Sequence, residues 1–251
     1  MAGWITHLRI ADEALKQLPE LDRLGFCMGS IAPDCNVENE DWTVFTPSRE
    51  VTHWMTGEKK LTADDEVFYR RYLAGQNALS NQESSFYWGY VAHLMTDASF
   101  YRFIHDEERW KRVYAIPEVK ERLAEMPFCY ENLKRVFGKT RVFAGWLAME
   151  NEYLYAHPEC SYRTVLQSVQ DFPSYVDYLP EGAILRKIRV MGGMPEPCAG
   201  PIDQTFFTYE EMERYIADTC QEIVKRIRRA TTGRPYKRTG AFLPRTCHPE
   251  E

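Results

Sequence analysis

Six histidines occur in the chain, and three of them, His7, His53 and His93, stand in apolar or aromatic surroundings in its first hundred residues. Two aspartates accompany them. Asp34 follows Ala32-Pro33 at a helix stop, and Asp97 comes four residues after His93. Imidazole nitrogens and carboxylate oxygens together suit zinc, with manganese and iron as rivals. Four residues of α-helix turn through about 400° and rise about 6 Å, so His93 and Asp97 share one face. That spacing lets both reach one ion, or lets Asp97 bridge two. A hydrogen-bonded surface pair is the plain alternative. The apolar helix around them argues against it, because a buried carboxylate needs a cation beside it. Taken singly, Asp34 reads as a turn carboxylate, His53 as a loop histidine packed by Trp54, and His7 as a core histidine. Taken together, the five come from separate elements, as a site inside a helical bundle requires.

Those elements are helical, and the expected class is all-α. Ala11, Ala14, Leu15 and Leu18 line one face of a helix over Thr6–Leu18, and His7 shares that face. Leu21–Ile31 is a second apolar helix, stopped by Pro33. Cys35–Arg49 is acidic and aperiodic, and reads as a loop; Leu61–Gly75 is amphipathic. Between Glu83 and Arg102 the only ionisable side chains besides tyrosines are His93 and Asp97. A helix apolar on nearly all sides belongs in the middle of a bundle, so residues 83–104 form the expected central helix. Further helices are expected at Pro117–Met126, Tyr130–Phe137, Thr140–Tyr155, Tyr162–Tyr178 and Thr208 to about Arg229. Thr208 and Glu211 have capping-box spacing. Met191–Pro201 is rich in Gly and Pro and reads as a loop. No segment reads as a convincing strand. Residues 1–251 are expected to form one domain with a flexible basic tail from about 232.

The chain resembles the zinc-dependent phospholipase C family, which is distantly related in fold to the single-strand-specific zinc nucleases. The resemblance is carried by Thr6-His7, Gly29-Ser30-Ile31-Ala32-Pro33-Asp34, Thr52-His53 and Gly89-Tyr90-Val91-Ala92-His93-Leu94-Met95-Thr96-Asp97. It implies an all-α fold with a metal cluster among the helices. Asp34, His53 and His93 would hold one ion, and Asp97 would bridge to a second that His7 also binds. It further implies a hydrolase in which water attacks a phosphodiester, with Asp34 the candidate for activating that water. The chain departs from secreted members in three places. Trp4 is internal, whereas theirs is a processed N-terminal tryptophan. Phe103 stands where they carry a histidine six residues past the motif aspartate. Trp146 stands one turn before Glu150, where their third metal site has its histidine. One or two ions are therefore expected.

The formal net charge of -6 speaks against a nucleic-acid partner or an anionic membrane surface, both of which need a dominant basic face. No stretch reads as a signal peptide or a transmembrane segment, so a cytoplasmic address is expected. The seven cysteines are scattered without CxxC spacing, and neither a disulfide framework nor a thiolate zinc site is expected. The expected partner is a phosphate-ester small molecule or a lipid headgroup. Two rivals stay open: a non-catalytic metal-binding protein with a degenerate cluster, and a nuclease of the related group. His105 reads as a surface histidine, His157 as structural at a helix end and His248 as part of a polar tail, and Arg102 and Arg109 as solvated.

Overall fold

The structure, a computed structural model, describes residues 2–57 and 62–232. Its organising element is α5 (Asn81–Ile104), begun by Ser80, whose side chain accepts the Glu83 N–H at 3.1 Å. Every residue from Ser85 through Ala98 is buried. A helix with no wet face has neighbours on all sides. Here they are α1 (Trp4–Leu15), α2 (Arg23–Gly29), α4 (Asp65–Tyr72) and α11 (Tyr209–Thr231). The aromatic run Phe86, Tyr87, Trp88 and Tyr90 lies wholly in this core, with Tyr90 stacked on Phe68 at 4.3 Å.

Most of the expected helices appear, Tyr130–Phe137 with the expected ends and the others with shifted ones. Around these run α3 (Arg49–Thr52), α6 (Glu107–Tyr114), α7 (Pro117–Arg122), α8 (Tyr130–Phe137), α9 (Lys139–Ala156) and α10 (Ala183–Met191). Thr208 and Glu211 form the capping box that starts α11. The all-α class holds among the described residues. The loop expected over Cys35–Arg49 does contain a minimal antiparallel ladder, β1 (Val37–Glu38) and β2 (Phe45–Thr46), in which Val37 faces Thr46 and Glu38 faces Phe45.

The helix expected over Tyr162–Tyr178 is corrected. Only Tyr162–Leu166 is helical, as a π-type turn, and the chain is irregular afterwards. Pro173 supplies no N–H and holds Phe172 away from helical backbone. Phe172 and Val176 are nevertheless buried. The basic tail beyond Thr232 lies outside the described residues.

The β hairpin is fastened to α10. Arg186 donates to Glu38 at 2.6 Å, and the buried Lys187 ammonium donates to its other oxygen. The same ammonium lies 5.2 Å from the Trp42 ring centre and 5.5 Å from that of Phe45. Hydrogen bonds from Arg186 and then Lys187 hold the Glu38 carboxyl down at about 2. The hairpin leaves the turn that carries Asp34, so this clamp holds the chain a few residues beyond that carboxylate.

Candidate metal centre

Two glycines set the distance between the helices that build the site. A Cβ on Gly29 would sit 1.9 Å from the Phe86 carbonyl oxygen, and one on Gly89 would sit 2.1 Å from that of Phe26. Only hydrogen fits there, so α2 and α5 cross backbone to backbone. The approach carries the Ser30 carbonyl to 2.8 Å from Nδ1 of His93. Ser30 itself closes the end of α2, donating its hydroxyl to the Phe26 carbonyl at 2.8 Å. Pro33 then tightens the chain into a 3-10 turn, Ala32–Asp34, which presents the Asp34 carboxylate.

His53 follows the last residue of α3. Its Nδ1 lies 3.1 Å from the Arg49 carbonyl and 3.0 Å from the Thr52 hydroxyl. The buried Tyr90 hydroxyl on α5 donates at 2.5 Å to the Thr52 carbonyl, which ties this turn to the central helix. His7 comes from α1, and its ring stacks on that of His93 with centres 3.9 Å apart and planes 1° from parallel.

All five predicted residues meet at one place. His53 Nε2 is 3.3 Å from Asp34 Oδ1 and 3.4 Å from Asp97 Oδ2. His93 Nε2 is 3.4 Å from the same Asp97 oxygen and 3.3 Å from His53 Nε2. His7 Nε2 is 3.7 Å from the other oxygen, Asp97 Oδ1. Two overlapping groups of three ligand atoms result: His7, His93 and Asp97, and Asp34, His53 and His93. The side chains of His7, His53, His93 and Asp97 are at most 1% exposed, whereas that of Asp34 is 16% exposed. Solvent reaches the cluster on the Asp34 side.

The chemistry of this donor set fits a cation. A carbonyl oxygen only accepts, so the bonds to Ser30 and Arg49 place the protons of His93 and His53 on Nδ1. Each Nε2 then directs a lone pair at the other and at carboxylate oxygens. Burial pushes the His93 imidazole down to about 4, and the His7 ring adds to the push, so protonation is a poor remedy. Among the described residues neither nitrogen of the buried His7 ring has a hydrogen-bond partner, a costly arrangement unless something else binds them. A divalent ion would take up the crowded Nε2 and carboxylate lone pairs together with one nitrogen of His7.

The zinc dependent phospholipase C family model matches residues 6–159, more than half of the chain. The chain belongs to that family. No curated protein and no solved structure matched it. Membership in the zinc dependent phospholipases C brings zinc as the cofactor and hydrolysis as the class of chemistry. The matched span begins one residue before His7 and takes in all five cluster residues as well as Glu150.

Among the described residues, the two other histidines, His105 and His157, stay outside the cluster. His105 stacks on Tyr101 at 3.9 Å and lies 3.5 Å from Glu131, so it is half-buried rather than on the surface. His157 is exposed beside Glu159. Arg109 is not solvated as expected. Its side chain is 5% exposed, packed 3.8 Å from the Trp110 ring centre and 4.2 Å from that of Phe207, and burial brings it down to about 10. Arg102 reaches Glu222 at 3.4 Å. The groups that orient the imidazoles, the carbonyls of Ser30 and Arg49, had no sequence signal beyond the close-packing glycine Gly29. Among the described residues no helix is long and apolar enough to cross a membrane.

Proposed function

We propose that the chain is a phosphate-ester hydrolase of the phospholipase C type, working with two zinc ions held by His7, Asp34, His53, His93 and Asp97. The observation that carries this is the meeting of His53 Nε2 and His93 Nε2 at 3.3 Å with both Nδ1 protons already committed. One ion would take Asp34, His53, His93 and one oxygen of Asp97. The other would take His7 and the second Asp97 oxygen. His93 stands in both three-ligand groups, but its Nε2 has one lone pair to give, so the shared residue in this reading is Asp97, whose Oδ1 lies 3.7 Å from His7 and whose Oδ2 lies 3.4 Å from His53 and His93. Zinc bound there supplies Lewis-acid polarisation of the ester and a more acidic water.

The protein's own groups do the rest. Ser30 and Arg49 hold the two imidazoles in the tautomer that points Nε2 inward. Asp34 stands at the wet edge, where its second oxygen orients the attacking water or accepts its proton. The apolar surround of α5 keeps the rest of the cluster dry, which strengthens charge stabilisation at phosphorus. The substrate read from family and site together is a phosphate ester with a small or lipid headgroup.

The test is elemental analysis of the purified chain beside His93→Ala, followed by a phosphate-ester panel that includes a phospholipid and a water-soluble ester. About two zinc per chain, loss of both zinc and turnover in the variant, and activity on at least one ester are expected. Zinc bound without turnover of any ester would favour the second reading, a metal-stapled structural protein. That reading has one observation behind it: Trp146 is buried where the family's third site has a histidine.

A further inference from the structure

The first turn of α1 lacks the usual means of stabilising its own start. Its N-cap is Gly3, which has no side chain to offer, and no acidic residue follows in the first turn. Helix starts leave N–H groups without partners and favour negative charge nearby. The missing group arrives from another helix. Glu150 of α9 accepts the Thr6 N–H at 3.0 Å, and the Thr6 hydroxyl donates to the same carboxylate oxygen. Gly3 lies against it as well, since a Cβ there would be 3.3 Å from both Glu150 oxygens. Glu150 is 3% exposed, and the chain neighbour of Thr6 is His7, whose own N–H bonds back to the Gly3 carbonyl at 3.0 Å.

From this arrangement we infer that Glu150 is a positioning residue for His7, a helix cap supplied in trans from α9, and not a ligand of a third ion. The residue one turn earlier on α9 is Trp146, 2% exposed and packed against Phe100, Phe207 and Tyr215. An indole ring offers no lone pair to a metal, so of this pair on α9 only the Glu150 carboxylate remains, and it is spent on α1, while Glu152 accepts from the Tyr209 hydroxyl. Among the described residues His7 makes no hydrogen bond through either ring nitrogen. Its place in the cluster therefore depends on how α1 is held, and the bond that holds the first turn is the one to Glu150. The inference rests on the two-ion reading above and adds how its less encumbered half is kept in place.

The test uses the full chain with Glu150→Gln, Glu150→Ala, Thr6→Val and the Thr6→Val/Glu150→Gln double variant. Zinc content and the two zinc affinities are read by competition with a chromophoric chelator, and melting is read with zinc and with EDTA. A cap predicts that Glu150→Ala weakens one zinc affinity by about 10-fold or more and leaves the other unchanged. Glu150→Gln, which still accepts from Thr6, restores that affinity to within about threefold of the parent and keeps the parental zinc content. Thr6→Val weakens the same affinity, and the double variant is less than additive because both changes remove one contact. Loss of one zinc equivalent in Glu150→Gln with an unchanged EDTA melt would make Glu150 a ligand and overturn the inference. An inert Thr6→Val would overturn it too. If the parent chain binds no zinc, the two-ion reading has failed on its own. The EDTA melts then judge the cap separately: lowered melting in Glu150→Ala and Thr6→Val supports it, and unchanged melting refutes it.

Discussion

Nε2 of His53 and Nε2 of His93 face each other across 3.3 Å, and each ring has its Nδ1 committed to a backbone carbonyl. Asp97 Oδ2 lies 3.4 Å from both nitrogens, so three lone-pair-bearing atoms crowd one point. In the absence of a cation this is an electrostatic fault in the centre of the fold. An ion that binds the folded chain and not the unfolded one stabilises it by mass action, about 2.7 kcal/mol at a hundredfold excess over Kd. Zinc titrated into chelator-treated protein is expected to raise Tm progressively with concentration. His93→Ala should abolish that response. A Tm indifferent to zinc would mean that the crowding is relieved by protons instead.

The ion-free protein has a definite pH dependence. The His93 imidazole sits at about 4 in the fold against 6.5 when unperturbed. Between those values the unfolded chain binds more protons than the folded one, so stability rises with pH. The His93 contribution is complete above 6.5 and is lost progressively as pH falls toward about 4. Urea melts in EDTA at pH 7, 6 and 5 should show falling midpoints, with a shallower fall in His93→Gln. Midpoints that do not change over this range would remove His93 as a buried neutral group.

Much of this site was legible because unlike residues stand out against an apolar background. His93 and Asp97 are the sole ionisable groups, tyrosines aside, in the stretch that becomes the core of α5. Tyr130–Phe137 and the capping box at Thr208 were equally plain, since local signals and burial agree there. α6 was hidden by its charge: of eight residues only Trp110 and Val113 are buried, too few to set a period. α10 was hidden between a Gly/Pro-rich loop and an irregular stretch. The segment after Leu166 misled because a buried apolar chain needs no helix when Pro173 forbids one. Backbone groups are the deepest gap. The carbonyls of Ser30 and Arg49 fix the imidazole tautomers, and no letter in the sequence reports where a carbonyl points.

Gly29 links the fold directly to the candidate metal ligand His93. Its missing side chain leaves room for the Phe86 carbonyl, 1.9 Å from where a Cβ would lie, and backbone atoms cannot swing aside. Gly29→Ala must push α2 from α5 and draw the Ser30 carbonyl away from His93. Overpacking of this kind costs roughly 1–3 kcal/mol or more. Urea denaturation should register that loss, and zinc affinity should fall in parallel. A stable Gly29→Ala protein with parental zinc affinity would show that the crossing has slack.

The hairpin clamp gives an asymmetric pair of variants. The side chains of Lys187 and Glu38 are 1% and 4% exposed, and Arg186 shares the carboxylate from a wetter position. Removing the anion strands a buried ammonium, which costs roughly 3 kcal/mol, whereas replacing the ammonium with an apolar chain of similar length costs far less. Glu38→Ala is therefore expected to lower Tm strongly and Lys187→Met only mildly. Equal effects would mean that water solvates the ammonium.

Asp34 and Asp97 both touch the histidines, yet their surroundings assign them different work. Asp97 is 0% exposed through its side chain and faces His7 with one oxygen and His53 and His93 with the other. Asp34 is 16% exposed and lies 3.3 Å from His53. Asn in place of Asp97 removes the charge that both halves of the cluster share, so Asp97→Asn should lose zinc and activity together. Asn in place of Asp34 keeps an oxygen for His53's ion but no longer accepts a proton from water. Asp34→Asn should then retain at least one zinc while its kcat falls roughly 100-fold or more. The acid limb of the parental pH–rate profile should disappear in that variant if Asp34 is the base. A zinc-loaded Asp34→Asn with parental kcat would move the proton acceptor elsewhere, and parental zinc content in Asp97→Asn would show that the two halves do not depend on a bridge.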